Sequence, residues 1–471
     1  MHAFLLVTAL FIAEAAPAEP DLDQRLAALF VGPSGLTAAS VAAKARDTGW
    51  EIRAAAHELE AARAGVTEAL WAYVPRLSGS ARYVRLSPLD PVSLGNLVTV
   101  GAGPAGPIAA GTELIRTPLA FPVLLNQTSF QLSLTVPLTD YLLRIGDAHD
   151  AAEAKEEAAA AGLEVARERT DAEAKLLYYG WLRARLAEVV AEQALDQAQK
   201  HAADASRLES AGSASHADTV ASEARVAQAE LLLLRVRDLS ARLGDQLRLA
   251  THSPTLELSI GEDLTKEPPP GAESLGIEVL RKQAKSDRAE LILLRAETRA
   301  LLDRAAIASA QLLPRLDAFA DAAIQNPSSR SFPQTDTFTG TWDLGIALSY
   351  AFTEVPAAFE ERRAALAHAE ASRARLASAE DGIDAEVLAA QIEAKEARAA
   401  LSSTRRQLDA AEAAYAVRSS LFAAGMARSV ELTDAEAALT QARLDHIDAR
   451  IDLRVGHTKL ARALGKSAAP N

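Results

Sequence analysis

Two very long helical stretches limit what this chain can fold into. They are predicted at about 144–211 and 357–424, and at a rise of about 1.5 Å per residue each is roughly 100 Å long. A helix of that length cannot lie inside a globular domain of this size. Small and aliphatic residues recur along both stretches at spacings of three and four, which is typical of coiled-coil packing. The recurring positions are Leu177, Gly180, Ala184, Ala187, Ala191, Ala194 and Ala198, and then Ile383, Val387, Ala390, Ala394, Ala397, Leu401, Thr404, Leu408 and Ala411.

Each long helix is predicted to end at a glycine and to be followed by a returning helix. Gly212 and Gly425 interrupt the helical pattern, and glycine just past a helix end favours the left-handed cap conformation. The returning helices are predicted at about 216–250 and 429–464. The chain therefore contains two long helical hairpins.

Strand patterns precede both hairpins. In 130–136 and in 342–350, large apolar residues occupy the even positions, and small or polar residues occupy the odd positions. An alternation of period two predicts strands with one bulky face. Each of these strands has a partner with a less regular alternation. The four strands are predicted at about 75–86, 128–138, 314–325 and 341–352.

The same order of elements occurs twice along the chain. Repeat 1 is predicted at 36–264 and repeat 2 at 275–466, and a proline-rich linker at 265–274 separates them. An N-terminal segment, 16–35, precedes the repeats, and a C-terminal tail, 467–471, follows them. The loop between the strands of repeat 1, about 88–126, is rich in Gly and Pro and is long for a hairpin.

The first 15 residues resemble a secretory signal peptide. Residues 4–12 are apolar, and Ala13-Glu14-Ala15 matches a small-residue cleavage site. This run is too short to span a bilayer, and no other stretch approaches 18 uninterrupted apolar residues. The chain is therefore predicted to be exported to the periplasm, the outer membrane or the medium. The absence of cysteine excludes disulfides, thiolate metal sites and an N-terminal lipid anchor.

Several kinds of function are disfavoured by the same sequence. The net charge is −14 and no basic stripe occurs, which argues against a nucleic-acid partner. The G-x-G-x-x-G sequence at 101–106 lies in a proline-rich loop with no following helix, so it does not indicate a nucleotide site. The nine histidines form no cluster in the sequence, and no nucleophile, base and orienting residue can be identified from spacing. We therefore expect no metal, no cofactor and no enzymatic activity.

The strand pattern by itself leaves two alternatives open. A bulky face opposite a small or polar face is typical of a membrane β-barrel, but also of a soluble sheet with one buried face. Four strands cannot close a barrel, and open sheet edges are not tolerated in lipid. The membrane alternative therefore requires several copies of the chain to associate.

The order of elements resembles that of TolC-like outer-membrane efflux proteins over essentially the whole mature chain. Two departures occur after the second strand of each repeat, where the usual Phe-Asp-Gly-Gly is replaced by Thr139-Asp140-Tyr141-Leu142 in repeat 1 and by residues 351–356 in repeat 2. The Arg-Pro-Asp-Leu motif near the start of repeat 2 is only partly kept, at 287–291. The motifs that match are Pro75 and Pro314 at the strand starts, Val136-Pro137-Leu138, Gly212 with Asp218 and Ala221, and Gly425 with Glu431, Asp434 and Ala435.

This resemblance implies an α+β membrane protein that forms a homotrimer in the outer membrane of a Gram-negative bacterium. Four strands from each of three chains would form a twelve-stranded β-barrel, and the hairpins would continue it as a helical tunnel through the periplasm. The expected function is passive export of substrates that an inner-membrane transporter and a periplasmic adaptor protein deliver. The alternative is a soluble periplasmic coiled-coil scaffold without channel activity.

The resemblance also suggests functional residues, each with a simpler explanation. Glu431 and Asp434, three residues apart on one helix face, match an acidic ring at the periplasmic entrance, and Asp218 is their counterpart in repeat 1. Such a ring favours cations, whereas ordinary first-turn acids only balance a helix N-terminus. The candidates for adaptor docking, which otherwise serve as plain helix caps, are Gly212, Ser213, Ala214, Gly425, Met426 and Ala427. The candidates for membrane-interface aromatics, which otherwise pack within the sheet, are Tyr83, Phe130, Trp342, Tyr350 and Phe352.

Overall fold

A computed structural model describes residues 22–30, 32, 35–88, 93–100, 106–120, 123–424 and 426–466. The predicted signal peptide, Gly425 and the C-terminal tail lie outside the described residues. The chain forms ten helices and six strands within these ranges. The helices are α1 Leu22–Leu29, α2 Ala38–Thr48, α3 Trp50–Trp71, α4 Leu138–Leu143, α5 Ile145–Ser210, α6 His216–Ala250, α7 Ile277–Asp287, α8 Ala289–Ala310, α9 Val355–Ala423 and α10 Ser429–Ala463. The strands are β1 Arg76–Arg85, β2 Ser93–Val100, β3 Leu114–Ala120, β4 Asn126–Pro137, β5 Arg315–Asn326 and β6 Thr339–Ser349.

The two long helices and their returning helices lie within two residues of the predicted bounds. The helical stretches that precede β1 and β5 are each divided into two helices. Gly49 separates α2 from α3 with extended backbone angles, and a side chain at this position would come within 2.8 Å of the carbonyl oxygen of Ala45. Arg288 separates α7 from α8, and its buried guanidinium binds Glu290 and the carbonyl oxygen of Arg462.

The described residues divide into two compact units, which cut across the two sequence repeats. Unit 1 comprises Met1–Glu60, Ala158–Arg295 and Ala374–Asn471, and unit 2 comprises Ala61–Glu157 and Ala296–Arg373. Unit 1 contains the tips of both hairpins and the inter-repeat linker. Unit 2 contains all six strands. Each unit therefore takes equivalent elements from both repeats.

The core of unit 1 lies along the recurring small and aliphatic positions of the long helices. In α5, four of the seven recurring residues are buried, and in α9 six of the nine are buried. Small size permits close helix contact: a Cβ on Gly456 of α10 would lie 3.0 Å from the Cα of Ala394 in α9. Larger side chains fill the rest, including Trp181 and Tyr178, whose hydroxyl donates to the carbonyl oxygen of Leu36 at 2.7 Å.

Unit 2 is built on an antiparallel four-stranded sheet in the order β1-β4-β5-β6. The first and second repeats each contribute two neighbouring strands, and β4 pairs with β5 across the repeats. Strands β2 and β3 form a separate antiparallel pair within the 88–126 loop. The fold of that segment could not be derived from the sequence, because its glycines and prolines obscure the short alternations at 93–100 and 114–120.

None of the described helices combines the length and the apolar character needed to cross a bilayer.

Candidate functional site

The four-stranded sheet exposes one apolar face that runs across all of its strands. The register aligns Leu134 of β4 with Leu77 of β1 and Ala320 of β5, and Ala320 with Leu344 of β6. The side chain of Leu344 is 74% exposed, and Trp342 and Ile346 beside it are 75% and 70% exposed. Contiguous apolar surface of this kind marks a site of contact with protein or membrane.

The opposite face of the sheet is polar. One row of polar residues crosses the four strands and consists of Ser78, Ser133, Asp321 and Asp343. The hydroxyl of Ser133 donates to Asp321. Arg330 pairs with Asp343 at 2.9 Å. The alternation of bulky and polar faces predicted for 130–136 and 342–350 is therefore present in β4 and β6, and the less regular strands β1 and β5 align with the same two faces.

One position on the polar face is filled by an aromatic ring from the neighbouring strand. Phe319 of β5 pairs with Gly345 of β6, and a Cβ on Gly345 would lie 2.7 Å from the ring of Phe319. The ring therefore occupies the space that a side chain at 345 would need. This contact explains the small residue within the alternation of β6.

The outer strands β1 and β6 each pair with one neighbour within the chain. Their other edges therefore carry backbone N–H and C=O groups that no strand of this sheet pairs. Such edges are templates for pairing with another chain. The sheet thus has two edges and an apolar face that no described residue of the chain covers.

The predicted interface aromatics lie at two levels of the sheet. Tyr83, Phe130 and Trp342 lie toward the ends of their strands that lead to the loops, and the Tyr83 hydroxyl donates to Asn126 at 3.1 Å. Tyr350 and Phe352 follow the other end of β6, with ring centroids 4.7 Å apart in an edge-to-face arrangement. Trp342 and Tyr350 are eight residues apart, which is about 26 Å along a strand.

The tip of the first hairpin is held by hydrogen bonds. Gly212 has φ +74°, the left-handed conformation predicted for it, and the amide of Ser213 donates to the carbonyl oxygen of Leu208. Ser215 and Asp218 form a capping box at the start of α6, in which the Ser215 amide donates to Asp218 at 3.1 Å. Asp218 therefore takes part in capping α6.

Glu209 of the first tip is bound from the returning helix. The hydroxyl of Thr219 donates to this carboxylate at 2.5 Å, and His216 contacts it at 3.0 Å. The Thr219 hydrogen bond lowers the pKa of Glu209 below its ordinary value. Ser213 is exposed and Ala214 is half-buried, so this tip presents small residues to solvent.

The tip of the second hairpin is held by ion pairs. Glu431 pairs with Arg418 of the preceding helix and contacts Arg428 at 3.5 Å. Arg428 occupies the N-cap position of α10 and makes no side-chain capping bond. Asp434 is exposed one turn further along the same helix. Met426 is 72% exposed, and Ala427 is half-buried.

The partner of Glu431 could not be identified from the sequence. Arg418 precedes Glu431 by 13 residues and lies on the other helix of the hairpin. Helical periodicity relates residues three or four positions apart on one helix. It therefore does not predict an ion pair between two helices that a turn brings together. The negative charge of Glu431 is therefore partly neutralised by Arg418, whereas Asp434 is exposed to solvent.

A buried polar pair lies beneath the tips. His201 of α5 and Glu436 of α10 are both at least 95% buried, and Nδ1 of His201 lies 3.5 Å from Oε1 of Glu436. The ring of His201 also contacts Phe422 edge-on at 4.7 Å. Glu168 lies nearer the start of α5, and its pKa is raised to about 7. Burial is the main cause, and the nearby charge of Glu290 contributes in the same direction. Unit 1 thus contains acidic groups inside its helical packing as well as at its tips.

One group of potential metal ligands lies at the start of α5 and consists of His149, Asp150 and Glu153. Each residue offers one ligand atom, and these three atoms lie within 4.8 Å of one another. No metal site was expected from the sequence, because its histidines form no cluster. This group contains a single histidine, and both of its carboxylates are exposed. It therefore has the composition of an ordinary solvated helix face, and we assign no metal to it.

Comparison with known proteins relates this arrangement to one family. Residues 280–466 match the family described as outer membrane efflux protein. A comparison with curated protein sequences finds no match. The family resemblance indicated by the sequence motifs is confirmed, and the matched segment lies within repeat 2.

Solved outer-membrane channels have the same fold over nearly the whole chain. The outer-membrane channel OprN is 18% identical, with a TM-score of 0.70 and coverage of 98% of both chains. VceC from Vibrio cholerae is 15% identical, with a TM-score of 0.71 and coverage of 91% of this chain and 96% of that one. The open state of MtrE from Neisseria gonorrhoeae is 16% identical, with a TM-score of 0.72 and coverage of 91% and 89%.

Proposed function

Because this chain is similar to outer membrane efflux proteins in sequence at residues 280–466 and in fold over nearly its whole length, we propose that it is an outer-membrane channel. It would act as a trimer and provide a passive exit for substrates that an inner-membrane transporter and a periplasmic adaptor deliver. The observation that carries this proposal is the exposed apolar face of the four-stranded sheet.

The apolar face supports insertion into lipid. Leu344 and Ile346 alternate with Gly345 and Ala347 on β6, so one face of the strand is large and apolar and the other is small. In a membrane barrel the large apolar face contacts lipid, and the other face lines the lumen. A water-exposed surface of this kind would instead promote aggregation.

The two open edges support a closed oligomer. In lipid, unpaired backbone groups at a sheet edge are too costly to remain, so β6 of one chain must pair with β1 of another. Three chains with four strands each would give twelve strands, a number within the range of known membrane barrels. The helical hairpins of unit 1 would form the periplasmic tunnel.

Glu431 and Asp434 are proposed as the entrance charges of this tunnel. In a trimer, the two residues would contribute six carboxylates to one ring, which would favour cations over anions. Asp434 is the stronger candidate because it is exposed, whereas Glu431 is already paired with Arg418. Asp218, which caps α6, is the weakest of the three.

The hairpin tips and the aromatic residues complete the proposal. The hairpin tips are proposed to contact the adaptor, since small residues permit close approach between helix tips. The residues concerned are Gly212, Ser213, Ala214, Gly425, Met426 and Ala427. We propose that the two levels of aromatic residues lie at the two membrane interfaces, where amphipathic rings are enriched. One level consists of Tyr83, Phe130 and Trp342, and the other of Tyr350 and Phe352. We assign no catalytic residue and no cofactor to this channel.

The first experiment is fractionation of expressing cells on a density gradient after a carbonate wash, followed by native mass measurement of the outer-membrane fraction. A trimer in that fraction supports the channel. A soluble periplasmic species would instead support the coiled-coil scaffold, with the apolar face covered by a protein partner.

A matched pair of variants tests the orientation of the sheet in the same assay. Ile346→Lys places a charge on the apolar face, where lysine near the bilayer midplane costs about 2–4 kcal/mol, and should greatly reduce the membrane-inserted trimer. Ala347→Lys places the same charge on the opposite face, beside Asp317, and should leave insertion intact. Equal behaviour of the two variants would contradict a lipid-facing role for the apolar face.

A further inference from the structure

A cavity of about 280 Å³ lies in unit 1 between the inter-repeat linker and helices α9 and α10. Its wall is dominated by basic side chains, although the chain as a whole carries a net charge of −14. Glu267 of the linker and several uncharged residues complete the wall. The basic and titratable side chains that line it are Lys266, Arg398, Arg405, His446, Arg450 and Arg454.

Two of these arginines fix the linker against the helices. Arg454 donates to Glu262 at 2.9 Å and to the carbonyl oxygen of Lys266 at 2.8 Å. Arg398 donates to Glu273 at 3.0 Å and to the carbonyl oxygen of Pro269 at 3.1 Å. Both ends of the linker are therefore held, and the cavity is present before any ligand arrives.

Basic side chains outnumber acidic ones in the wall of the cavity. Several carboxylates pair with its basic side chains, among them Glu262 with Arg454, Glu273 with Arg398 and Asp409 with Arg405. None of these three carboxylates lines the cavity, and Glu267 is the one acidic residue of the described chain that does. Within the described residues, five cationic side chains therefore line the cavity beside one carboxylate, that of Glu267, which pairs with Arg398 at 2.9 Å.

We propose that this cavity binds a small polyvalent oxyanion, such as inorganic phosphate or a tricarboxylate. Guanidinium groups present planar pairs of donors that match the oxygens of phosphate and carboxylate. Concave walls of low dielectric strengthen the attraction of grouped cations for an anion. The volume admits one such ion with a few water molecules. The ion would join the linker, through Lys266, to both α9 and α10.

The proposal concerns a site inside unit 1 and does not depend on channel activity. Its test uses the full-length protein, in detergent if the chain is a membrane protein and in plain buffer if it is the soluble scaffold. Isothermal titration calorimetry with sodium phosphate, and separately with citrate, is performed against chloride at equal ionic strength. We expect saturable binding of at least one of the two anions, with one site per chain.

Arg405 provides the sharpest variant because its side chain is exposed and its loss should not affect folding. Arg405→Gln should weaken binding roughly tenfold or more, the change expected from loss of one charge-assisted hydrogen bond. Arg406→Gln is the matched control, because Arg406 is the next residue of α9, is exposed and does not line the cavity. Absence of saturable binding for both anions, or equal weakening by the two variants, would overturn the proposal.

Discussion

The tips of the two helical hairpins have the same sequence plan but hold their acidic residues differently. In the first tip, Asp218 accepts the backbone amide of Ser215, and Glu209 accepts the hydroxyl of Thr219. In the second tip, Glu431 is paired with Arg418 and Arg428, and the N-cap residue makes no side-chain cap. The first tip is therefore stabilised by local hydrogen bonds and the second by charge.

This difference shows that equivalent positions in a repeat need not have equivalent functions. A carboxylate that accepts backbone and hydroxyl hydrogen bonds is committed to the fold of its own turn. An exposed carboxylate such as Asp434 remains available to act on ions in solution, whereas Glu431 is partly neutralised by its two arginines. The second tip is thus the better place for a selectivity element, and the first for a rigid cap.

The largest effect is expected for ion selectivity at the second tip. Replacing both acids, Glu431→Ala with Asp434→Ala, should lower the cation-to-anion permeability ratio several-fold, because a ring of acidic side chains sets cation preference. Asp218→Ala should change this ratio much less. Single-channel conductance in asymmetric salt measures the permeability ratio of both variants, and an unchanged ratio in the double variant would remove the entrance role.

Arg418 tests the sign of the same effect. Arg418→Gln removes the cation that neutralises Glu431, so cation preference should rise rather than fall. A fall in cation preference would show that Glu431 does not face the permeating ions.

The second largest effect is expected at Gly212 of the first tip. Gly212→Ala places a side chain on a residue with φ +74°, where non-glycine residues are disfavoured by about 1–2 kcal/mol. No atom lies within 4 Å of the added Cβ, so backbone strain is the whole expected cause. Hydrogen exchange at residues 208–216 should become faster, and Gly146→Ala, which is equally unobstructed but lies inside a helix, is the control.

A smaller effect distinguishes the two N-caps. Ser215→Ala removes a capping box and should destabilise the start of α6 by about 1 kcal/mol. Arg428→Ala, at the corresponding position of α10, removes no side-chain cap and should change the local stability by less than about 0.5 kcal/mol. Hydrogen exchange of the first turns of both helices measures this. Equal changes at the two tips would contradict the proposed difference in their stabilisation.

The smallest effect concerns pH. The Thr219 hydroxyl lowers the pKa of Glu209. The ionised carboxylate therefore stabilises the tip fully at pH values above the ordinary pKa of a glutamate. This stabilisation is lost as the pH falls through the lowered pKa. Thr219→Val should therefore speed local exchange slightly at pH 7, after correction for intrinsic rates. The difference from the unmodified protein should shrink below about pH 4. A difference that persists at low pH would indicate that Thr219 acts by packing alone.

The amino-acid sequence by itself determined the elements with strong periodicity. The long helices, their returning partners, the faces of the strands and the left-handed glycine at 212 follow from rules that relate residues a few positions apart. Segments with weak or mixed periodicity were less predictable, and they include the β2–β3 pair and the breaks at Gly49 and Arg288. The family resemblance likewise depends on short local motifs.

Only the tertiary structure decided which charges meet. It brought Arg418 onto Glu431, Thr219 onto Glu209, and Arg398 and Arg454 onto a linker more than 120 residues away in the sequence. The reason is physical: hydrophobic periodicity fixes which face of a helix is buried, and it is insensitive to which charged residue a neighbouring element presents. The tip chemistry and the basic cavity are therefore properties of the packed chain, whereas its helices and strand faces are properties of its sequence.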